Sequence, residues 1–311
     1  MEAEEIDPQA KAAMAAQERI PMPHSRWGLK LLRGLSRVMT PIQNRTLPDV
    51  GTTRDLTLPG PDGELDARLY LPDGEGPFPT VVFFHGGGYV RGSIATHERL
   101  CRRLVEESGC AFLSVGYRLA PEHPFPAAVE DAFAAVEWAA ENPDAVEGDG
   151  RVAVAGDSAG GNLAAVAALM AAERGGPDID YQLLIYPSVG IDPSQPSVQD
   201  HAGLVLSVAD MEWFRDCYFG NEIHQRNPYA DPMQARDLSA VPPATIITAG
   251  FDPLRDGARA YAERLISEGV ATRYENYEDM VHGFMTFRDV DRTEEAIEDV
   301  AGDLAAAFGT R

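Results

Sequence analysis

The sequence contains no long apolar run and little cysteine. No stretch approaches the roughly 18 consecutive apolar residues that a membrane-spanning helix needs, and the first residues, Met-Glu-Ala-Glu-Glu, lack the basic and apolar regions of a signal peptide. The three cysteines, Cys101, Cys110 and Cys217, form no Cys-x-x-Cys pair, which argues against a disulfide framework and a zinc knuckle. These absences predict a cytoplasmic protein with small buried thiols.

Lysine is nearly absent, and the charge balance is strongly acidic. The chain has 49 acidic and 26 basic residues, of which only Lys11 and Lys30 are lysines, and its formal net charge is −23. Such a surface disfavours nucleic acid and anionic membranes, so we expect neither as a partner. The acid excess favours adaptation to concentrated salt, because mobile ions screen the repulsion between carboxylates. Codon usage in a GC-rich genome is the alternative explanation for the scarcity of lysine.

The order of predicted elements is that of an α/β protein. The chain has 311 residues, of which 44% are hydrophobic, enough for a sizeable core. Predicted strands cover Arg54–Leu58, Asp66–Leu71, Thr80–Phe84, Ala111–Val115, Arg151–Ala155, Tyr181–Tyr186, Ala244–Ala249 and Thr272–Tyr277. Predicted helices cover Ala10–Arg19, Trp27–Met39, Thr96–Ser108, Ala127–Glu141, Asn162–Glu173, Ala209–Phe219, Asp256–Glu268 and Thr293–Phe308. This alternation predicts a mostly parallel sheet with helices on both faces.

Two segments interrupt the alternation and are predicted to form a helical cap. Residues 1–50 read as N-terminal cap helices separated at Pro21–Pro23, and they are too apolar to be left in water. Residues 188–231 are proline-rich at first and read as a cap insertion after the sixth strand. The catalytic domain would then comprise residues 51–187 and 232–311.

The motif Gly156-Asp157-Ser158-Ala159-Gly160 stands between a predicted strand and a predicted helix. A serine on so sharp a turn adopts a strained backbone, and side chains at the flanking glycines would crowd it. The helix that follows directs its positive end toward developing negative charge. This context favours a nucleophile elbow over a chance match in a glycine-rich chain.

A nucleophilic serine needs a base, and the base needs an acid that fixes its tautomer. In an α/β protein with such an elbow, the expected chain order is serine, acid, histidine. His282 follows the last predicted strand, whereas His201 and His224 lie in the predicted cap and the other histidines precede Ser158. Asp252 follows the strand Ala244–Ala249, and Asp256 is interpreted as a structural acid in the first turn of the next helix. Ser158, Asp252 and His282 are therefore the predicted catalytic residues.

Three glycines after the strand Thr80–Phe84 can present backbone amides without side chains in the way. Gly87, Gly88 and Ala159 are the predicted oxyanion-hole donors. The run lacks the Gly-Lys-Ser/Thr and Gly-x-Gly-x-x-Gly patterns, which argues against a phosphate loop. Candidate substrate-pocket residues are Tyr89, Met211, Trp213 and Phe214, although a cluster of methionine and aromatics is more often ordinary core.

Five motifs together resemble the microbial branch of the hormone-sensitive-lipase-like carboxylesterases, the family IV esterases. They are His85-Gly86-Gly87-Gly88-Tyr89-Val90, the block Tyr117–Ala128, Gly156-Asp157-Ser158-Ala159-Gly160-Gly161, Asp252-Pro253-Leu254-Arg255-Asp256 and His282-Gly283-Phe284. The resemblance implies an α/β-hydrolase fold with an eight-stranded sheet, and it assigns the triad and the oxyanion hole to the residues named above. It implies hydrolysis of short- to medium-chain carboxylic esters, and with the acidic composition it suggests a halophilic archaeal member.

These observations predict a serine esterase that works through an acyl-enzyme and needs no cofactor or metal. Its partner would be a small-molecule ester, and the chain could act as a monomer or a homodimer. An amidase or lactonase could use the same triad. A non-catalytic small-molecule receptor on this fold is a further alternative, which the presence of both Ser158 and His282 disfavours. In the block Tyr117–Ala128, Arg118 and Glu122 are expected to bracket a turn beneath the site, and Asp157 to brace the elbow.

The composition predicts that the melting temperature rises steeply between dilute buffer and molar KCl. Salt shortens the Debye length to about 3 Å at 1 M and so weakens the repulsion among carboxylates in the folded state. Thermal unfolding followed by circular dichroism across a KCl series measures this directly. A flat response would contradict salt adaptation and favour the codon-usage explanation.

Overall fold

The computed structural model describes residue 3 and residues 5–17, 22–44 and 46–310, and within them eight strands form one sheet. The strands are β1 Thr52–Gly60, β2 Gly63–Leu71, β3 Phe78–Phe84, β4 Ala111–Gly116, β5 Gly148–Asp157, β6 Tyr181–Ile185, β7 Ala244–Phe251 and β8 Thr272–Val281. Their spatial order is β1-β2-β4-β3-β5-β6-β7-β8. Only β2 pairs antiparallel with its neighbours; the remaining pairs are parallel. The predicted eight-stranded, mostly parallel sheet is confirmed.

Helices cover both faces of this sheet. They are α1 Pro8–Gln17, α2 Arg26–Gln43, α3 Ile94–Ser108, α4 Ala127–Glu141, α5 Ala159–Arg174, α6 Pro196–His201, α7 Val208–Tyr218, α8 Arg255–Ser267 and α9 Asp291–Phe308. Short 3₁₀ turns lie at Pro143–Val146, Glu222–Arg226, Pro232–Gln234 and Phe284–Thr286. One buried cluster joins the sheet to α4, α5 and α8, and a second joins it to α3 and α9. The two layers of helix hold the strand ends in fixed positions.

Local sequence signals explain where several elements begin and end. Gly60 pairs with Gly63 across a two-residue turn, and the φ of Gly63 is +115°, a value that favours glycine. Ser93 and Thr96 form a capping box at the start of α3. Every residue of β3 after Phe78 is buried, as expected for a central strand of a parallel sheet.

The strands that lead into the site are longer than predicted. The last strand is predicted to end at Tyr277, but β8 continues to Val281 because Phe251 of β7 still pairs with it beyond an irregularity in the register. At the N-terminus, the helix predicted over Ala10–Arg19 is observed as Pro8–Gln17. Glu18, Arg19 and the predicted break at Pro21 lie outside the described residues.

Helix α2 is fastened to the body of the protein by Arg33. Its guanidinium donates to the carbonyl oxygens of Val90 and Ala120, at 2.7 and 2.5 Å, and pairs with the Glu122 carboxylate at 2.8 Å. Leu29 on the same helix is fully buried. By contrast, α1 lies beside α9, where Ala10 and Met14 join the second cluster. Of the two N-terminal helices, α2 is therefore the one held near the strand ends.

Arg118 and Glu122 lie at a turn in which the His123 backbone N–H donates to the Leu119 carbonyl at 3.0 Å, but their side chains contact different elements. Asp131 of α4 accepts from the Arg118 backbone N–H at 2.8 Å and from its Nε at 2.9 Å, and its side chain is fully buried. Glu122 instead pairs with Arg33 of α2. The two side chains have different partners because Arg118 faces α4 and Glu122 faces α2.

Asp131→Ala should destabilise the fold by about 3 kcal/mol. Removing one partner of a buried ion pair leaves the other charge with its desolvation cost and without its partner. Urea denaturation at fixed salt measures the change. The matched control is Glu130→Ala, because Glu130 lies 3.7 Å from the same guanidinium but is half exposed. That variant should lose less than about 1 kcal/mol, and equal losses in the two variants would contradict the role given to Asp131.

Candidate active site

Ser158 occupies the sharp turn between β5 and α5. Its φ of +55° and ψ of −118° lie in a region that side chains rarely adopt. A Cβ added at Gly156 would collide with the Gly160 carbonyl oxygen, and one added at Gly160 would collide with the carbonyl oxygen of Phe84 in β3. The Ser158 backbone N–H donates to the Ile185 carbonyl at 2.9 Å, which helps to hold the strained conformation. Close contact between backbones therefore explains both flanking glycines.

His282 lies between Ser158 and Asp252. Its Nε2 is 2.9 Å from the Ser158 Oγ, and its Nδ1 is 2.7 Å from Asp252 Oδ2. Because an ionised carboxylate only accepts hydrogen bonds, Nδ1 carries the proton and Nε2 is left to accept from the serine hydroxyl. Asp252 is fully buried, and its other oxygen accepts from the Leu254 backbone N–H at 2.8 Å. The three predicted side chains thus meet at the carboxyl ends of β5, β7 and β8.

Asp256 is used elsewhere. Its Oδ2 accepts from the Ser197 backbone N–H at 2.9 Å, and its carboxylate pairs with Arg255 and Arg259 at 3.0 and 3.5 Å. These contacts tie α6 to the start of α8. Asp256 therefore anchors the segment after β6, whereas Asp252 is the acid in contact with the histidine.

The glycine loop that follows β3 lies against the serine. Gly87 and Gly88 have φ values of +122° and +62°, and the Gly87 carbonyl accepts from the Arg91 backbone N–H at 3.0 Å. Ala159 provides the first amide of α5, which has no partner within the helix. All three residues line one cavity together with Ser158. Backbone N–H groups at these places can stabilise an oxyanion there.

A buried carboxylate joins the glycine loop to the elbow. Asp157 accepts from the Gly86 backbone N–H at 2.8 Å and lies 3.2 Å from Nε2 of His97. His85 Nδ1 donates to the Gly86 carbonyl at 2.9 Å, and the Tyr117 hydroxyl donates to the His85 carbonyl at 2.7 Å. Asp157 therefore contacts the glycine loop as well as the elbow that it was expected to brace, and no sequence pattern pointed to His97 as its partner.

The electrostatics of this cluster favour an ion pair. Burial alone would raise the pKa of Asp157, but His97 and the Gly86 N–H hold it below its usual value. Burial alone would lower the pKa of His97, but the Asp157 carboxylate raises it above the usual value. Burial, together with the charge of His97, lowers the pKa of His85 to about 4, so His85 is neutral near pH 7.

The cavity above Ser158 has a volume of about 600 Å³, and most of its exposed wall is apolar. The predicted pocket residues Tyr89, Met211 and Phe214 are on its wall, and Leu32 and Ser36 of α2 contribute from the N-terminal side. The ring of Tyr89 stacks face to face on that of Tyr218, with centroids 3.8 Å apart. Parts of both predicted cap segments therefore contribute to the wall.

Trp213 does not line this cavity, although it was a pocket candidate. Met211 and Phe214 are three residues apart and share one face of α7, whereas Trp213 is turned away from that face. Its ring stacks on His24, with centroids 5.8 Å apart. Trp213 therefore joins α7 to the start of the N-terminal cap helix.

Tyr186 has a structural role that the sequence did not reveal. It follows β6 directly, is fully buried and has a φ of +34°. Its ring centroid lies 5.0 Å from that of His282 and 5.7 Å from that of Phe284. Packing against this ring limits the orientation of the histidine.

Two further features bear on what the site can hold. Within the described ranges, no group of three or more histidine, cysteine, aspartate or glutamate side chains is placed to hold a metal ion. The described helices also include none with the length and apolar character that crossing a bilayer demands.

Comparison with known proteins gives consistent matches. A family model described as the alpha/beta hydrolase fold matches residues 81–286. An esterase of Mycobacterium tuberculosis, LipI, is 45% identical over 243 residues, which is 76% of each chain. The carboxylesterase NlhH of the same species is 42% identical over 236 residues, covering 73% of this chain and 74% of the relative. Each is a named ester hydrolase.

Solved structures agree with these relatives. An esterase from Pyrobaculum calidifontis superposes with a TM-score of 0.90 at 40% sequence identity. The match covers 97% of this chain and 98% of the esterase. The likeness therefore extends over the N-terminal helices and the segment between β6 and β7 as well as the sheet.

Asp157→Asn should lower the pKa of His97. The carboxamide can still accept from the Gly86 N–H, but it carries no negative charge to offset the burial of the imidazole. NMR titration of the histidine ring protons measures the shift. The control is Asp210→Asn, because Asp210 contacts exposed His24 at 2.7 Å and not His97. An unchanged pKa of His97 in Asp157→Asn would contradict the ion pair.

The same pair predicts a window of pH-dependent stability. A raised pKa of His97 adds stability below its unfolded value of 6.5, and this is lost as pH rises through the folded value. A lowered pKa of Asp157 adds stability above 3.8, and this is lost as pH falls through the folded value. The difference in free energy of unfolding between the wild type and Asp157→Asn should therefore be largest between about pH 4 and 6.5.

Proposed function

The chain belongs to the alpha/beta hydrolase family and is a carboxylic-ester hydrolase, and we propose that it cleaves short- to medium-chain esters with Ser158, His282 and Asp252. The observation that carries this assignment is the bridging imidazole, which lies 2.9 Å from the serine hydroxyl and 2.7 Å from the buried carboxylate. A serine becomes a competent nucleophile when a base in this position takes its proton. The esterase relatives and the five motifs support the hormone-sensitive-lipase-like branch.

In the first half-reaction the Ser158 Oγ attacks the ester carbonyl carbon. His282 Nε2 accepts the hydroxyl proton, and Asp252 stabilises the imidazolium through its hydrogen bond to Nδ1–H. The carbonyl oxygen becomes an oxyanion that receives hydrogen bonds from the N–H groups of Gly87, Gly88 and Ala159. When the tetrahedral intermediate collapses, the bond to the alkoxy oxygen breaks. His282 returns its proton to that oxygen, and the alcohol leaves an acyl-enzyme.

In the second half-reaction water replaces the alcohol. His282 accepts a proton from the water as its oxygen attacks the acyl carbon, and the same amides again stabilise the oxyanion. Collapse breaks the bond to the Ser158 Oγ, which regains a proton from the imidazole. The products are the free acid and an enzyme restored to its initial state.

The shape of the cavity supports a substrate of limited length. Its volume of about 600 Å³ falls within the range of small-molecule pockets. Phe214 of α7 approaches the glycine loop so closely that a Cβ at Gly88 would collide with its ring. Phe214 therefore forms the wall of the cavity beside the glycine loop, where it limits the space next to the proposed oxyanion donors.

The alternatives differ in what they demand of the same site. An amidase must protonate a poorer leaving group, and a lactonase must hold a cyclic ester, but both would use the triad described. No contact in the described residues favours either one. A non-catalytic receptor has no need of the strained serine, and the cost of about 1–3 kcal/mol for such a backbone argues against it.

Turnover should depend on Ser158 and decline with chain length. In a series of chromogenic esters from acetate to dodecanoate, we expect a maximum among the shorter acyl groups and weak activity at the long end. Ser158→Ala should lose at least about 10⁴-fold in kcat, because the covalent route is closed. A serine-directed phosphonate should label the wild type and leave this variant unlabelled. Inert wild-type protein that also resists the phosphonate, tested in molar salt, would overturn the proposal.

The two neighbouring acids provide a matched control for the triad. Asp252→Asn should lower kcat by roughly 10³- to 10⁴-fold, because the histidine loses the partner that orients it. Asp256→Asn changes the same chemical group four residues away. Its main effect should be a lower free energy of unfolding, with little loss of kcat. Similar losses of kcat in the two variants would show that the acid has been misassigned.

A further inference from the structure

Arg91 lies on the wall of the catalytic cavity, four residues after Gly87 of the glycine loop. It lines the same cavity as Ser158 and His282. By surface area its side chain is exposed, yet burial lowers the pKa of its guanidinium. Its exposed surface is therefore open to a ligand in the cavity.

The guanidinium of Arg91 has no close anionic partner in the described part of the chain. Among the residues that the structure describes, Arg91 makes no side-chain hydrogen bond and no ion pair within 4.0 Å, and its charge interacts with the more distant carboxylate of Asp210. Most arginines near the site are differently placed: Arg33 pairs with Glu122, and Arg118 pairs with Asp131. A guanidinium that has no close anionic partner and lines a largely apolar cavity is available to pair with an anionic group of a ligand.

The acids on the cavity wall are largely engaged with other groups. Asp157 accepts from Gly86 and pairs with His97. Asp231 accepts from the backbone N–H groups of Gly190 and Met233, at 3.0 and 3.1 Å. Glu212 is exposed and, like the other described acids, lies outside ion-pair distance of Arg91. The positive charge of Arg91 is therefore not neutralised at close range.

The backbone that carries Arg91 is held on both sides. The amides of Val90 and Arg91 donate to the Gly87 carbonyl, and Arg33 donates to the Val90 carbonyl. The Tyr89 carbonyl accepts from the Ala120 N–H at 2.9 Å. The backbone of this loop therefore does not have to rearrange when the guanidinium binds an anion.

We propose that Arg91 forms a carboxylate-binding subsite within the catalytic cavity, so that preferred substrates are esters bearing a second, ionised carboxyl group. A planar guanidinium binds a carboxylate through two parallel hydrogen bonds, which gives both orientation and affinity. The substrate class is then a half-ester of a dicarboxylic acid or an ester of a carboxylate-bearing alcohol. This inference rests on the proposed ester hydrolysis and specifies its substrate.

The test compares an anionic and a neutral ester in two arms. The acyl arm uses mono(4-nitrophenyl) glutarate and 4-nitrophenyl pentanoate. The alcohol arm uses the butyrate esters of 4-hydroxybenzoate and 4-hydroxybenzamide. The readout is the ratio of kcat/KM for the anionic ester to that for its neutral counterpart at fixed salt, which cancels general damage to the enzyme.

Arg91→Met should lower this ratio by about 10- to 100-fold in one arm, the size expected for a charged hydrogen-bonded pair. The loss should appear mainly in KM, because the interaction is present in both the ground state and the transition state. Arg91→Lys keeps the charge without the planar fork and should restore part of the ratio. The arm that responds identifies which side of the ester carries the carboxylate.

Arg215→Met is the matched control, because Arg215 also lines the cavity but lies 3.6 Å from Asp216. In Arg215→Met, the ratio of kcat/KM for the anionic ester to that for the neutral ester should change less than about threefold. An unaltered ratio in both arms for Arg91→Met, or an equal change in Arg215→Met, would overturn the subsite. If Arg91→Met does not fold, wild-type inhibition decides: glutarate should compete with the neutral ester more strongly than glutaramide does. Absence of hydrolysis of every ester in both arms, anionic and neutral, would instead refute the proposed function.

Discussion

The geometry of the site depends on one buried carboxylate. Asp157 ends β5 immediately before Ser158, and its oxygens reach the Gly86 amide and the His97 imidazole. The carboxylate therefore links three parts of the chain: the elbow after β5, the glycine loop after β3 and the start of α3. An ion pair in so apolar a setting is costly unless every partner is in place. The relative position of the serine and the candidate oxyanion donors follows from that requirement.

Much of this arrangement could be predicted from the sequence because it depends on short-range rules. The flanking glycines at 156 and 160 follow from the turn itself, and the order serine, acid, histidine follows from a sheet whose strand ends share one edge. The full lengths of β7 and β8 could not be predicted, because pairing beyond the register irregularity near Gly250 is a property of two strands at once. Trp213 was predicted to line the pocket because, like Met211 and Phe214, it is a large apolar residue. In the structure it lies on the other face of α7, where its ring stacks on His24.

Charged residues show the clearest limit of sequence reasoning. Arg33, Arg91 and Arg118 are the same residue type, yet one fastens the cap, one faces the cavity and one is neutralised by a core helix. Nothing in their sequence neighbourhoods separates these roles, since the partners Glu122 and Asp131 are contributed by other elements. The overall composition predicts an acidic surface, but the local field around Ser158 depends on the few charged residues that line the cavity.

The strained conformation of Ser158 lowers the stability of the fold at the residue that the proposed chemistry needs. A positive φ at a residue with a side chain raises the energy of the native state by about 1–3 kcal/mol, and glycine would remove most of that strain. Selection for heat resistance alone would therefore replace the serine. A lineage that keeps the hydroxyl there must recover the difference elsewhere, through packing or ion pairs far from the reaction. The stability of such an enzyme then depends on residues far from the site, while Ser158 itself remains in a strained part of the backbone.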